Sequence, residues 1–199
     1  HNKGEVASKL AVENIIEFLK ENLLQSSNIK IDYIDDIIKQ AYHNVNNIIY
    51  EKSMSSLEFE GMGTTLVIAI IYKNNLYVAN VGDSRCYLLN ENGFNKIDHS
   101  VVEELVKANI ITEEEAKTHP RRNHITRAIG TDEMVIVDIF KKQIDAGNKI
   151  LLTSDGLTGF VDDNTIKDTL LKDEDVNDLT KELINTANDV SGRDNISVI

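Results

Sequence analysis

The sequence predicts an α+β fold in which antiparallel sheets are covered by helices. Helical periodicity dominates the start of the chain and returns near its end, whereas short β-branched and aromatic runs occupy much of the middle. Pairs of helices interrupt these runs, and the connections between the runs have hairpin length. This order of elements favours antiparallel sheets over a doubly wound parallel sheet.

Four amphipathic helices are predicted outside the middle of the chain. From Gly4 to Leu24, and again from Ile31 to Ile49, apolar side chains recur every three to four residues and define one helical face. Two shorter helices are predicted later, over Asp163–Leu171 and Val176–Val190. Each of these faces must pack against other elements to be buried.

Strands are predicted where the period of the apolar residues changes to that of extended chain. The runs are "TTLVIAIIY" (64–72), "LYVANV" (76–81), "RCYLL" (85–89), a strand ending in Ile97, "MVIVDIFKKQI" (134–144), "KILLTS" (149–154) and "NISVI" (195–199). Asn74 and Asn75 separate the first two runs, where a tight hairpin needs residues that tolerate positive φ. The turn "NENG" (90–93) precedes the strand that ends in Ile97.

Residues 100–123, between the fourth and fifth strands, form an insert with a different pattern. The insert reads as two short helices and is closed by the only proline, Pro120. Thr112 opens the second helix, and Glu115 follows three residues later, which is the capping-box pattern.

The net charge of the chain limits the classes of partner. Acidic residues outnumber basic ones by 33 to 21, which gives a net charge of −12. This charge repels the phosphates of a nucleic acid, and no basic cluster offsets it. We therefore expect no nucleic acid partner.

The sequence also favours a cytoplasmic protein of one domain. Its most apolar segment, 61–72, is shorter than the roughly 20 apolar residues of a membrane span, so no membrane partner is expected. Cys86 is the single cysteine, which excludes an internal disulfide and suits a reducing compartment. No signal-peptide pattern is present. The chain starts on His1 and stops at Ile199 inside an apolar run, so we expect residues 1–199 to be one domain, incomplete at both ends.

Three aspartates lie beside apolar runs and could form a cation site. Asp83, Asp155 and Asp194 each have a glycine within two residues. Carboxylates without nearby Cys or His ligands select hard cations such as Mg²⁺, Mn²⁺ or Ca²⁺. If the three carboxylates converge, cations must offset their repulsion, and a multi-metal site results. Asp-Gly is also a common turn dipeptide, so the spacing alone leaves open that each aspartate only forms a turn or a cap.

Six short motifs together resemble one family from end to end. They are "GMGTT" (61–65), "ANVGDSR" (79–85), "DHS" (98–100), "HPRRNHITRAIGTD" (119–132), "LLTSDGL" (151–157) and "GRDNISVI" (192–199). Their order and approximate spacing resemble those of bacterial metal-dependent protein phosphatases of type 2C. The opening "HNKGEVAS" is similar to the stretch that follows the Asp-Gly-Met-Gly-Gly signature of that family.

The resemblance implies both a fold and an activity. The family fold is a sandwich of two antiparallel β-sheets flanked by pairs of α-helices, in four layers α-β-β-α, and residues 100–123 correspond to its flap. The implied activity is hydrolysis of phosphoserine and phosphothreonine in proteins. In the family, two core metals, Mn²⁺ or Mg²⁺, share a water that becomes hydroxide and attacks phosphorus in line.

The resemblance also suggests roles for individual residues. Asp155 and Asp194 resemble the ligands of one core metal, and Asp83 resembles a ligand of a third, weaker metal site. His1 resembles the acid that protonates the departing oxygen, although a frayed terminus or a tag remnant is the alternative. The family's remaining metal ligands and its phosphate-binding arginine precede the position of His1, so we expect the 199-residue fragment itself to be impaired.

Two other functions stay open at the level of sequence. One is a non-catalytic phosphatase-like module that binds phosphoproteins or partner kinases, and the other is a magnesium-dependent nuclease. The net charge of −12 disfavours the nuclease. For the phosphatase, we expect a monomeric signalling enzyme whose substrates are phosphoproteins made by serine/threonine kinases.

Overall fold

The computed structural model describes residues 3–24, 33–97, 110, 112, 115, 127–192 and 194–199. Its helices are α1 (Gly4–Leu19), α2 (Ile34–Met54), α3 (Asp155–Thr158), α4 (Asp163–Leu171) and α5 (Val176–Val190), and a π-helical turn, Lys20–Leu24, extends α1. Its strands are β1 (Leu66–Tyr72), β2 (Asn75–Val81), β3 (Arg85–Asn90), β4 (Gly93–Ile97), β5 (Asp138–Gln143) and β6 (Lys149–Thr153). None of these helices combines the length and the apolar character that a membrane span needs.

The strands form two antiparallel sheets of three strands each. The strand orders are β1-β2-β5 and β4-β3-β6. The predicted α+β class, a sandwich of antiparallel sheets with helices, is therefore confirmed. By the density of their contacts, the residues divide into two compact units. The first draws on His1–Leu66, Ala79–Gly82 and Ile125–Ile139, and the second on Val67–Val78, Asp83–His124 and Phe140–Ile199.

In the first unit, α1 packs against α2 through the apolar faces that the sequence predicts. The buried positions of α1 are Ala7, Ala11 and Ile15, which are spaced by four residues and lie on one side of the helix. The buried apolar positions of α2 are Ile34, Ile38, Ala41, Tyr42, Val45 and Ile49. Both long helices of the prediction are confirmed, with α2 extending five residues beyond its predicted end at Ile49.

Two polar side chains of α2 are buried in the first unit and satisfied there. The Tyr42 hydroxyl lies 2.8 Å from the Ala79 carbonyl oxygen and 3.1 Å from that of Leu66, so it bonds to backbone of β2 and β1. The Asn46 amide accepts a bond from Gly130 N and donates to the carbonyl oxygens of Asp132 and Glu133. Because buried polar groups are costly without partners, these bonds fix the segments they reach.

In the second unit, the two sheets pack face to face. Leu76 and Val78 of β2 lie against Cys86 and Leu88 of β3, and Ile144, beyond the end of β5, completes this buried cluster. Alternate residues of β3 point to the opposite face, as the two-residue period of a strand requires. That face packs on α3, α4 and α5 through a second cluster formed by Tyr87, Leu151, Leu157, Val161, Ile166, Leu170, Leu183 and Ala187.

The register of β3 with β6 determines which residues share an end of this sheet. The two strands are antiparallel, with Arg85 opposite Thr153 and Leu89 opposite Lys149. The last residues of the chain run along the other edge of β6, where Leu152 and Ile199 exchange two backbone hydrogen bonds of 2.9 and 3.0 Å. Val198 forms an antiparallel bridge with Thr153. Residues 195–199, predicted as a strand, therefore lie beside β6 but form an isolated bridge and not a regular strand.

Two further local predictions differ from the structure, and one short helix was not predicted. The β1–β2 turn is formed by Lys73 and Asn74, one residue earlier than the predicted Asn74–Asn75 turn, and Lys73 takes the positive φ of 54°. Residues 134–137 are not in a strand, so β5 begins at Asp138, after the first four residues of the predicted run. The short helix α3 follows β6 directly, and the sequence did not indicate it because four residues are too few to show a helical period.

Candidate functional site

Asp155 stands where β6 passes into α3. The strand ends at Thr153, Ser154 is the N-cap, and Asp155 is the first residue of the helix. A carboxylate is favourable in the first turn of a helix because free backbone N–H groups point toward it. The predicted site residue Asp155 is therefore held between two regular elements, and its side chain remains exposed.

The pairing of the last residues with β6 brings Asp194 to the same place. Ser154 N donates to the Ser197 carbonyl oxygen at 3.1 Å, so the chain between Asp194 and Ser197 passes beside the end of β6. The Asp194 carboxylate accepts a bond of 2.8 Å from Asn195 N and is exposed. Asp155 and Asp194 are thus brought together by the strand pairing.

Gly156 allows this close approach. A Cβ on Gly156 would overlap the carbonyl oxygen of Asn195 and crowd the Ile196 backbone. The glycine after the aspartate in "SDG" is therefore required by the neighbouring chain.

The electrostatics of the site show that the two carboxylates interact. The pKa of Asp155 is raised above its ordinary value, first by partial desolvation and then by the negative charge of Asp194. Hydrogen bonds from the backbone of Gly156 and of Asp155 itself, and the charge of Arg85, oppose that rise. Two carboxylates that repel one another at a surface suit a divalent cation, because a shared cation would remove the repulsion. The donor chemistry of this pair therefore fits Mn²⁺ or Mg²⁺.

Asp83 lies at the same end of the β3–β6 pair. It is half-buried in the turn between β2 and β3, two residues before Arg85. The β3–β6 ladder ends at the pair of Arg85 with Thr153, so Asp83 and Asp155 each lie two residues beyond the same end of the ladder. Among the residues described, no group of three or more His, Cys, Asp and Glu side chains is arranged to hold a metal ion. The joint site of three aspartates therefore stays a prediction.

A polar network behind the aspartates was not predicted from the sequence. The Arg85 guanidinium lies 3.2 Å from the Tyr87 hydroxyl and 3.5 Å from Asp163 Oδ1. The Tyr87 hydroxyl donates to the same carboxylate oxygen at 2.7 Å, and burial raises the pKa of Tyr87. Asp163 is the first residue of α4, so the network joins β3 to that helix. Arg85 belongs to the motif "ANVGDSR", from which only Asp83 was predicted to have a role, and no local signal could have indicated Asp163.

Two other predicted features fall largely outside the described residues. His1, the predicted acid, is not among them, and most of the flap 100–123 is not either. The described part of the flap includes its predicted capping box. Thr112 N donates to Glu115 Oε2 at 2.8 Å, and Glu115 N donates back to Thr112 Oγ1 at 3.2 Å. This local prediction is confirmed.

A separate cleft of about 370 Å³ lies at the opposite end of the β3–β6 pair. Its walls come from the β3–β4 turn with Asn90 and Glu91, from the turn Asp145–Asn148 before β6, and from Leu171 at the end of α4. It includes none of the predicted site residues. The chemistry that the sequence predicts therefore belongs to the other end of the sheet.

Comparison with known proteins identifies the family. A family model described as protein phosphatase 2C matches residues 1–198. Serine/threonine phosphatase stp of Listeria welshimeri is 36% identical over 201 residues, which cover 100% of this chain and 79% of that protein. Protein phosphatase PhpP of Streptococcus pneumoniae is 32% identical over 203 residues, with the same coverage of 100% and 79%.

Solved structures agree with the sequence comparison. Serine/threonine phosphatase Stp1 from Staphylococcus aureus superposes with a TM-score of 0.86 at 37% identity, covering 100% of this chain and 77% of that one. The Mycobacterium tuberculosis serine/threonine phosphatase PstP/Ppp gives a TM-score of 0.84 at 32% identity, covering 98% and 80%. With this agreement of sequence and fold, the chain belongs to the protein phosphatase 2C family.

Proposed function

We propose that this protein is a serine/threonine protein phosphatase that removes phosphate from phosphoserine and phosphothreonine. The observation that carries the proposal is the backbone pairing of residues 197–199 with β6 and Ser154, which brings the chain after Asp194 to the start of α3 at Asp155. Family membership supports it, as do the names of the relatives, which are serine/threonine phosphatases in Listeria, Staphylococcus and Mycobacterium.

The proposed cofactors are divalent cations, Mn²⁺ or Mg²⁺. Asp155 and Asp194 would hold one of two core cations, and Asp83 would contribute to a further, weaker site with Asp155. When bound, such cations neutralise charge on a phosphoryl group and lower the pKa of water toward neutrality. Carboxylate oxygens bind both Mn²⁺ and Mg²⁺, so these ligands are compatible with either metal and do not distinguish between them.

Two side chains of this protein are proposed to assist the reaction, Arg85 through the charge of Asp155 and His1 as the general acid. Desolvation and the charge of Asp194 raise the pKa of Asp155, and the charge of Arg85 opposes part of that rise, which favours the ionised form that a cation requires. His1 is proposed to donate its proton to the serine or threonine oxygen as the P–O bond breaks. An imidazole with an ordinary pKa near 6.5 is partly protonated at neutral pH, which suits a general acid.

The phosphatase proposal is tested by phosphate release from a phosphothreonine peptide during a Mn²⁺ titration. The protein is assayed as its gene encodes it, and Asp155→Asn is compared with wild type. We expect the variant to lose at least about tenfold in rate at limiting Mn²⁺, since removing one ligand charge weakens the site. Asp168→Asn, which changes an exposed aspartate of α4, is the matched control and should behave as wild type.

Two results would contradict the proposal. If wild type binds the phosphopeptide but releases no phosphate with Mn²⁺ or Mg²⁺, the chain is the non-catalytic binding module instead. If Asp155→Asn keeps the wild-type rate at every Mn²⁺ concentration, Asp155 holds no cation that the reaction needs.

The role of His1 is tested by the choice of leaving group. His1→Asn should slow hydrolysis of the phosphothreonine peptide by roughly 10² to 10⁴, the usual contribution of general acid catalysis. It should slow hydrolysis of p-nitrophenyl phosphate much less, because nitrophenolate leaves without protonation. Equal losses on both substrates would contradict the assignment of His1 as the acid.

We also propose that residues 1–199 form one domain that acts as a monomer in the cytoplasm, on phosphoproteins made by serine/threonine kinases. A single cysteine, the buried Cys86, suits a reducing compartment because it can form no internal disulfide. The net charge of −12 disfavours a nucleic acid partner and is compatible with a monomer. Size-exclusion chromatography with light scattering would reveal a dimer, which would contradict the monomer.

A further inference from the structure

Ser154 makes an unusual use of its hydroxyl. It occupies the N-cap of α3, where a serine side chain ordinarily accepts a bond from the first turn of the helix, but it makes no such capping bond. Its hydroxyl instead meets the chain that follows Asp194 at two points. It donates to the Asn195 carbonyl oxygen at 3.2 Å and accepts from Ser197 N at 3.0 Å.

These two bonds join the residue before Asp155 to the chain that directly follows Asp194. Asp155 follows Ser154 directly, and Asp194 directly precedes Asn195. The Asn195 N–H also donates to the Asp194 carboxylate at 2.8 Å. The orientation of that carboxylate therefore depends on the position of Asn195, whose carbonyl oxygen accepts the bond from Ser154. A shift of Asn195 would therefore move Asp194 relative to Asp155.

Between the residues that the structure describes, backbone pairing alone does not supply this restraint. The bonds between Leu152 and Ile199, and from Ser154 N to the Ser197 carbonyl, hold the chain at 197–199. Toward Asp194, the Ser154 hydroxyl reaches two residues further than this backbone bond, to the Asn195 carbonyl. The N–H of Ser197 is satisfied by the Ser154 hydroxyl oxygen. The side chain thus extends the pairing to the residue that adjoins the aspartate.

We propose that Ser154 is a positioning residue, whose hydroxyl fixes the Asp194 carboxylate at the separation from Asp155 that lets the two share one divalent cation. This inference rests on the proposed function, since it concerns the same cation site. It assigns Ser154 no contact with substrate. Groups that orient metal ligands typically change metal affinity 10- to 100-fold when they are removed, and Ser154 should behave in this way.

The test measures Mn²⁺ binding to the protein alone, by the electron paramagnetic resonance signal of free Mn²⁺, without any turnover. Ser154→Ala should weaken Mn²⁺ binding about tenfold. Ser154→Thr keeps the hydroxyl and should stay within about threefold of wild type. Thr186→Ala removes a comparable bond, from a hydroxyl to the Glu182 carbonyl in α5, and should leave Mn²⁺ binding unchanged.

A second pair of variants changes Ser197, the partner of the Ser154 hydroxyl. This pair tests the role of Ser154 even if Ser154→Ala does not fold. Ser197→Pro removes the N–H that Ser154 accepts but keeps the carbonyl that pairs with Ser154 N, and should also weaken Mn²⁺ binding about tenfold. Ser197→Ala keeps that N–H and should bind as wild type. Circular dichroism confirms that each variant is folded at the assay temperature.

The outcomes separate this inference from the proposed function. Weak binding in Ser154→Ala and Ser197→Pro, with normal binding in their controls, supports the role of Ser154. Wild-type affinity in folded Ser154→Ala overturns that role, and leaves the cation site intact if Asp155→Asn still loses Mn²⁺. Wild-type protein that binds no Mn²⁺ overturns the cation site itself, and the inference with it.

Discussion

Gly156 determines how closely the chain after Asp194 can approach the end of β6. Its φ lies outside the left-handed region, so the position needs glycine for space and not for its conformational freedom. The sequence offered two readings of Asp155-Gly156, a simple turn or part of a cation site. The structure shows a helix start against which a distant segment packs, and only that segment explains the glycine.

Gly156→Ala tests this point. The added methyl group must displace the Asn195 peptide, so we expect a loss of about 1–3 kcal/mol in the free energy of unfolding, as for other overpacked sites. Urea unfolding followed by circular dichroism measures it. Gly4→Ala is the control, since no atom lies within 4 Å of a Cβ at this position in α1, and it should be neutral or slightly stabilising. Equal stability of the two variants would argue against close packing at Gly156.

Among the elements, α4 shows how a helix start can be fixed by local chemistry. Asp162 is its N-cap, and its carboxylate accepts bonds from Asn164 N at 2.9 Å and Thr165 N at 3.1 Å. The Thr165 hydroxyl adds a third bond of 2.7 Å. These bonds lower the pKa of Asp162, and the largest effect comes from the Thr165 hydroxyl. The helix bounds predicted from the sequence, Asp163–Leu171, are confirmed.

The lowered pKa of Asp162 predicts a specific dependence of stability on pH. Its folded pKa lies below the unfolded value of about 3.9, so the stabilisation is present above that pH and is lost as pH falls through the folded pKa. Asp162→Asn keeps a good N-cap without the charge and should lack this dependence. Asp162→Ala should lose about 1 kcal/mol at neutral pH. Urea unfolding between pH 3 and 7 measures both, and parallel pH curves for wild type and Asp162→Asn would contradict the argument.

Helix α2 shows what periodicity cannot reveal. Asn46 is polar and does not belong to the predicted apolar face, yet it is only 1% exposed. Its burial follows from three hydrogen bonds to the segment 130–133, more than 80 residues later in the chain. No local pattern encodes that distant segment, so nothing in the sequence indicated that Asn46 is buried.

Asn46→Ala should therefore be far more harmful than its sequence context indicates. The substitution leaves the buried Gly130 N–H without its acceptor, and we expect a loss of about 2–3 kcal/mol in the free energy of unfolding. Asn44→Ala, in the same helix at an exposed position, is the matched control and should change stability by less than about 0.5 kcal/mol. Thermal or urea unfolding compares the two, and similar losses would show that the Asn46 bonds contribute little.

At the scale of the whole molecule, the predictable features are those with local signals. The amphipathic helices and the capping box at Thr112 followed from periodicity and local sequence signals, and they are confirmed. The division of the strands between two sheets, with β2 and β3 in different ones, has no such local signal. The β1–β2 turn was placed one residue late because Lys73, a residue that seldom adopts positive φ, does so here. The meeting of Asp155 with Asp194 depends on long-range pairing, which motifs could indicate but periodicity could not. The Arg85–Tyr87–Asp163 network also depends on long-range pairing, and neither kind of signal indicated Asp163.

A cation that binds the folded chain should stabilise the molecule as a whole. If the proposed site is correct, Mn²⁺ at 100 times its dissociation constant adds about 2.7 kcal/mol and raises the melting temperature. Asp155→Asn should largely abolish that rise, and added chelator should reverse it in wild type. Differential scanning calorimetry with and without Mn²⁺ measures the effect. The same rise in Asp155→Asn as in wild type would locate the bound cation elsewhere.

The Ser154–Asn195 contact joins residues 41 positions apart, and α4 and α5 lie between them. During synthesis, Asp155 leaves the ribosome well before its partner carboxylate exists. A nascent chain can complete one sheet and begin its last helices while it still lacks half of the carboxylate pair. The pair could then hold a cation only after Asp194 has been synthesised, so a nascent chain that stops before Asp194 should bind no cation at this site.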